Sequence, residues 1–224
     1  MSEHTSQEYE KAIAYIFDLI QNGTLKIGSR LPPERAIAEQ LGIGRNSIRE
    51  AISILHGMGF VERVQGSGNY VSKHVGKSIR QTIMIMLALG SVSKQEVYEF
   101  RRVMEKSVCD SLLVKPLGQI EKEKIEKALS DMKCRQGREL ADADKAFHDA
   151  LIEATENQLW ITLMEAVIDL YREWIDYVLT HADLAMREQL LQYHEQLYQA
   201  LIIGNRDVML RAIDGHYNLI ETML

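Results

Sequence analysis

The 224-residue chain can hold one large domain or two modest ones, and its 46% apolar and 26% charged content is that of a globular chain in water. The first residues, MSEHTSQEYEK, are acidic and polar and do not read as a secretory signal. The apolar stretch IMIMLAL (83–89) is far too short to span a bilayer, so the expected setting is the cytoplasm, with no membrane partner. Cys109 and Cys134 have no CxxC spacing and imply no disulfide framework. The net charge of −6 divides unevenly: residues 1–77 hold 9 Lys/Arg against 8 Asp/Glu, and residues 78–224 hold 17 against 24. Within 28–77 the count is 7 against 4, a local basic patch that points to an anionic partner for that part alone.

In chain order, the first helix is expected over 6–22, with Ile13, Ile16, Phe17 and Ile20 on one face and Gly23 as its stop. A short extended piece, IGSRLPP, leads into a helix in ERAIAEQL, with Pro33 tolerated at its start and Gly42 at its end. A third helix begins near Gly44, burying Ile48, Ala51, Ile52 and Leu55. The period then changes: FVERV, QGSG and NYVS read as a two-stranded hairpin with a glycine-rich tip. Three helices and a hairpin make a winged helix-turn-helix. Beyond residue 77 helices are expected near 78–89, 93–114, 117–136, 139–155, 157–180, 184–203 and 206–223, with SKQE (93–96) as a capping box and Pro116 and Gly204 as stops. The fold is therefore expected to be mainly α. A winged domain over 1–75 precedes an all-α bundle of six or seven helices over 78–224, with the boundary in SKHVGKS (72–78).

A helix-turn-helix sets its second helix in the major groove, with the N-terminal residues of that helix nearest the base edges. Here these are Arg45, Asn46, Ser47 and Arg49, and the two arginines share the face opposite Ile48 and Ile52. Arginine's planar fork can bond two acceptors of guanine or clamp a phosphate. Arg35 is placed for phosphate, and the wing tip offers Gln65, Gly66 and Ser67 to a minor groove. Two arginines alone would fit a solvated helix equally well. The full order, from proline-started helix to glycine-tipped hairpin, favours double-stranded DNA.

The stretch LPPERAIAEQLGIGRNSIREAISILHGMGFVERVQGSGNYV (31–71) resembles the winged-helix domain of GntR-family bacterial transcription regulators. Its pattern is LP-x-ER-x-(I/L)A-x-x-LG, then R-x-x-(I/V)RE-A, then G-x-G-x-(Y/F)V. The resemblance implies DNA contacts at Arg35, Arg45, Arg49 and Gly66. Pro33 stands where a capping Ser is usual, which weakens a helix cap, and GRNS replaces the family's frequent turn, which bears on operator sequence and not on binding mode.

In DADKAFHDAL (142–151), Asp144 and His148 lie four residues apart on one helix face. That spacing fits a metal half-site, a catalytic pair or a core histidine satisfied by a carboxylate. His194 and His216 lie on two further expected helices with apolar neighbours, so a carboxylate and three imidazoles can converge in a bundle. Such a set suits a divalent transition ion, zinc or nickel first, with positions left for water or a ligand carboxylate. His4, His56, His74 and His181 show that the chain also uses histidine without such company.

The run DADKAFHDALIEATEN (142–157) is similar to the D-x-x-FH-x-x-L-x-x-A-x-x-N signature of the FadR-type C-terminal ligand domain of GntR regulators. The helices around His194 and His216 are similar to that domain's last two. The resemblance implies metal ligation by Asp144, His148, His194 and His216. YEFRRVMEK (98–106) resembles E-x-R-x-x-(L/M)E, which makes Arg101 the candidate to face an effector's carboxylate; an inter-helix ion pair is its plain alternative. The expectation is a homodimeric, effector-responsive transcription regulator on a palindromic operator, with a small organic acid as effector. An apolar or acyl effector without metal, lined by Met84, Met86 and Met104, is the alternative. A metal-dependent hydrolase lacks an obvious general base, and a metal that only staples the bundle is the remaining class.

Overall fold

The first helix, α1 (Ser2–Gln21), buries Ala12 and Ile16, and Gly23 follows it in a left-handed conformation. The computed structural model describes residues 2–73 and 76–222; His74 and Val75, within the expected boundary, lie outside them. The chain divides into two compact units, Met1–Ile79 and Arg80–Leu224.

In the first unit, α2 (Glu34–Leu41) starts after Pro33, which caps it without a side-chain bond. It ends at Gly42, whose φ of 65° is left-handed and whose N–H donates to the Ala38 carbonyl. Helix α3 (Arg45–Gly57) turns Ile48, Ala51, Ile52 and Leu55 inward against α1 and α2, each at most 1% exposed. Each of the three larger side chains contributes about 1.5–3 kcal/mol through burial. Strands β1 (Val61–Val64) and β2 (Gly68–Val71) pair antiparallel, from Val61 opposite Val71 to Val64 opposite Gly68. The tip is thus Gln65–Gly66–Ser67, with Gly68 already in the strand. The extended piece before α2 also joins the hairpin. Gly28 N–H donates to the Val71 carbonyl (2.9 Å), Val71 N–H to Ser29 (2.8 Å) and Leu31 N–H to Asn69 (2.8 Å), which ties the wing to the helices.

Among the described residues seven helices follow the hairpin: α4 (Gly76–Ala88), α5 (Lys94–Val114), α6 (Gln119–Cys134), α7 (Gly137–Ala154), α8 (Gln158–His181), α9 (Leu184–Ile203) and α10 (Arg206–Glu221). Ser93 and Glu96 close the capping box expected at the start of α5, and Asn157, Asp183 and Asn205 cap α8, α9 and α10. Gly204 ends α9 in a left-handed conformation. The core of this unit joins α5 to α10 through Val108, Ile125, Phe147, Leu151, Tyr171 and Met209, among others. Among the described residues this is a mainly α fold, a winged helix-turn-helix followed by a helical bundle.

Of the three methionines named for an apolar effector, Met84 and Met86 are exposed, on a helix with no buried residue, and Met104 packs against the helical core. IMIMLAL is apolar around the whole helix, so its composition could not say which side would be covered. No described helix is long and apolar enough to cross a membrane.

Candidate metal centre and nucleic-acid interface

At the start of α3, Arg45, Asn46 and Arg49 are exposed, as the helical period requires when Ile48 and Ile52 face inward. Arg49 Nε donates to Glu34 Oε2 at 2.9 Å, and Arg35 Nε to Glu39 Oε1 at 2.8 Å, both in solvent. Exposed pairs of this kind are weak and readily exchanged for a phosphate. Gln65 and Gly66 are exposed at the wing tip, and Gly66 has a φ of 73° that favours glycine. Ser67 Oγ lies 2.6 Å from Tyr70 Oη, which fixes it to the hairpin.

Ser47 departs from expectation. It is 3% exposed and its hydroxyl donates to Glu8 Oε2 at 2.7 Å, so it joins α3 to α1 and does not belong to the exposed face. Sequence spacing alone could not find this, because the partner lies 39 residues upstream. Two further exposed cations lie at the wing. Arg30 lies against the wing, where a Cβ added to Gly68 would stand 3.1 Å from its Nε, and Arg63 on β1 donates to Ser53 Oγ. No motif marks either residue; the pairing of residues 28–31 with β2 brings Arg30 there.

In the helical unit, α7 presents Asp144 and His148 one turn apart, α9 presents His194 and α10 presents His216. All four are at most 4% exposed, and one donor atom from each lies within 4.8 Å of the others. His194 Nε2 is 3.2 Å from Asp144 Oδ1 and 3.3 Å from His148 Nε2, which is 3.9 Å from the same oxygen. Donors bound to one transition ion at about 2.1 Å stand roughly 3–4 Å apart. Phe147 packs edge-on against both His148 and His194, with centroids at 5.5 and 4.8 Å, and helps close the cluster to water.

The outer nitrogens decide what the inner ones can be. His194 Nδ1 faces the Leu190 carbonyl at 2.8 Å, and a carbonyl only accepts, so Nδ1 carries the proton. His148 Nδ1 lies 2.8 Å from Glu105 Oε1 on α5, an ion-pair contact without the alignment of a hydrogen bond, which also favours a proton on Nδ1. In the neutral rings both Nε2 atoms are then lone pairs, aimed at each other and at a carboxylate oxygen. Such a convergence is repulsive unless a cation or a proton sits among the three. His216 adds a buried Nδ1 with no hydrogen-bond partner. The residues therefore fit a divalent transition ion.

Glu105 Oε2 also accepts from Tyr217 Oη at 2.6 Å, so this carboxylate joins α5 to α7 and α10. Burial raises its pKa, but His148, Arg101 and His216 outweigh burial and hold it at about 2. Asp144 is likewise held well below the carboxylate range, because the three imidazoles overcome its burial. Burial lowers the His148 pKa, yet Glu105 and Asp144 bring it above the ordinary imidazole value. His216 is pushed well below that value by burial, with His194 and His148 adding to the effect.

Arg101, one turn before Glu105, is 3% exposed. Its guanidinium stacks on Tyr171 at 4.7 Å and on Tyr217 at 5.8 Å, and its Nε has no hydrogen-bond partner. Burial opposes its charge, but Tyr217, Glu105, Tyr171 and Asp144 hold the pKa above its ordinary value. A cavity of about 180 Å³ reaches the cluster at Asp144 and His194 and is lined also by residues of α6, α8 and the start of α9, with Arg187 among them. Arg101 does not line it.

Residues 8–71 match the family model described as bacterial regulatory proteins, gntR family, and residues 96–219 match the FCD domain. The chain is 31% identical over 211 residues to the HTH-type transcriptional regulator LutR of Bacillus subtilis (strain 168), covering 92% of this chain and 96% of that protein. It is 30% identical over 206 residues to the Uxu operon transcriptional regulator of Escherichia coli (strain K12), covering 87% of this chain and 77% of that protein. The solved structure of Streptococcus agalactiae GntR shares the fold, with a TM-score of 0.72 at 21% identity over 96% of this chain and 100% of that one. The chain belongs to the GntR family of bacterial transcription regulators, carries an FCD ligand-binding domain after its winged helix, and is a regulator, not an enzyme.

Proposed function

We propose that this regulator binds a palindromic operator as a homodimer in the cytoplasm, and that a small organic acid bound at a metal site in the helical unit changes its operator affinity. The winged unit is the DNA-binding domain, and the helical unit serves effector binding and dimerisation. The observation that carries the effector half is the convergence of Asp144, His148, His194 and His216 on one buried point.

Charge supports an acid as effector. Two buried carboxylates, Asp144 and Glu105, face one buried guanidinium, Arg101. With neutral imidazoles the cluster carries one net negative charge, and a divalent zinc or nickel ion would leave it with one net positive charge. A carboxylate neutralises that remainder, and Arg101, with its unpartnered Nε, is the residue assigned to face it. When bound, the ion supplies Lewis acidity and open coordination positions for an oxygen ligand. On the DNA side Arg45, Asn46 and Arg49 face the major groove, Arg35 a phosphate, and Gln65 and Gly66 the minor groove. Apolar surface left uncovered on a single chain supports a dimer: Phe100 and Val103 on one face of α5, and Ile85 and Leu89 at 56% and 76% exposure.

A duplex selected from random sequence gives the test. With metal-loaded protein, a millimolar 2-hydroxy acid such as L-lactate is expected to change duplex affinity about five-fold or more in fluorescence anisotropy. The metal-stripped protein is expected not to respond. An unchanged affinity in the loaded protein, across a panel of small acids, would reduce the ion to a staple of the bundle.

A further inference from the structure

Arg187 and His194 lie seven residues apart on α9, two turns along one face, with Leu190 and Leu191 between them. That face lines the cavity that reaches the cluster at Asp144 and His194. Three cations line the same cavity together with the carboxylate residues Asp144 and Glu188, and two of the cations are committed elsewhere. Lys133 Nζ pairs with Glu195 Oε1 at 2.6 Å, and Arg135 pairs with Asp131 at 3.3 Å and Glu139 at 3.7 Å. Arg187 has no carboxylate partner among the described residues. Its Nη2 reaches only the Thr180 carbonyl, at 3.4 Å, and its Nε is buried without a hydrogen-bond partner. Leaving a buried guanidinium N–H unsatisfied is costly, and an arriving anion removes the cost.

We propose that the cavity takes a dianionic small acid and that Arg187 binds its second carboxylate. This rests on the metal-centred reading above for the first carboxylate. Arg101 does not line this cavity; its guanidinium lies against Tyr171 and Tyr217, so it is left to the first carboxylate at the cluster. The two arginines therefore divide the work, Arg101 at the buried cluster and Arg187 on the cavity wall. The ligand class that follows is a short dicarboxylate, with apolar contact between its ends from Leu190 and Leu191.

L-Lactate and L-malate make a matched pair of probes, sharing the 2-hydroxy acid head and differing by one added carboxylate. By calorimetry on full-length, metal-loaded protein, L-malate is expected to bind about tenfold or more tighter than L-lactate. Arg187→Gln is expected to erase that preference while leaving L-lactate affinity and metal content unchanged, and Arg187→Lys to restore part of it. Equal affinities in the parent protein, or a malate preference that survives R187Q, would overturn the assignment of Arg187 and leave the metal reading standing. Failure of the metal reading looks different: the parent protein would hold no ion and bind neither acid. Metal-loaded protein that binds neither acid would overturn both readings of the effector.

Discussion

Replacing Arg45 and Arg49 together by alanine is expected to lower affinity for a selected operator duplex at least about hundredfold, without changing the melting of either unit. Both side chains stand in solvent on the face of α3 opposite its buried stripe, so neither substitution opens a cavity. An arginine that pairs with a base edge is worth about 1–3 kcal/mol of discrimination, and two such losses account for the expected drop. Arg49 must first leave Glu34, an exposed pair worth at most about 1 kcal/mol, so its release costs little. Anisotropy at several salt concentrations separates roles: loss of a base-reading arginine relaxes sequence preference, whereas loss of a phosphate contact, the role proposed for Arg35, lowers the salt slope by about one. Ser47→Ala should act through stability instead, because its hydroxyl is spent on Glu8.

Zinc or nickel at about a thousand times its dissociation constant is expected to stabilise the helical unit by about 4 kcal/mol, and His148→Ala to abolish the shift in scanning calorimetry. Glu105→Gln should keep the site but weaken ion affinity about 10- to 100-fold, since it alters the group that orients His148 and not a ligand. Ion loading is expected to compete with a proton on the cluster and to release it. His148 is the source, because Glu105 and Asp144 overcome burial and keep its proton above the ordinary imidazole range. His216 adds none, as burial and its two imidazole neighbours already hold it neutral. Ion affinity should thus rise with pH through the neutral range and level off once His148 loses its proton unaided. Titration calorimetry in buffers of different ionisation enthalpy reads the proton release at each pH; a release that does not grow as pH falls would contradict this account of His148.

Local signals made most of the fold legible. The glycines after α1, α2 and α9, the capping box at Ser93 and the stripe through Ile48 and Leu55 are read from residues a few positions apart, and the structure places element ends within a few residues of them. The hairpin was equally plain, but its third partner was not, because the bonds from Gly28 and Leu31 to β2 depend on how the chain folds back. The same limit runs through the site. Asp144 and His148 declare themselves at i, i+4, and the family pattern adds His194 and His216. Glu105 meets His148 from another helix, and no spacing announces it. Ser47 shows the reverse failure, where a residue in the right place along α3 is claimed by Glu8 on another helix.

Metal content per chain, measured in protein purified without chelators beside a His194→Ala variant, tests the central claim most directly. About one equivalent of zinc or nickel in the parent chain and little in the variant is the expected result, since the ring removed supplies one of the four converging donors. No transition metal in either preparation, even after soaking with both ions, would contradict the account and return the three histidines to the core of the bundle.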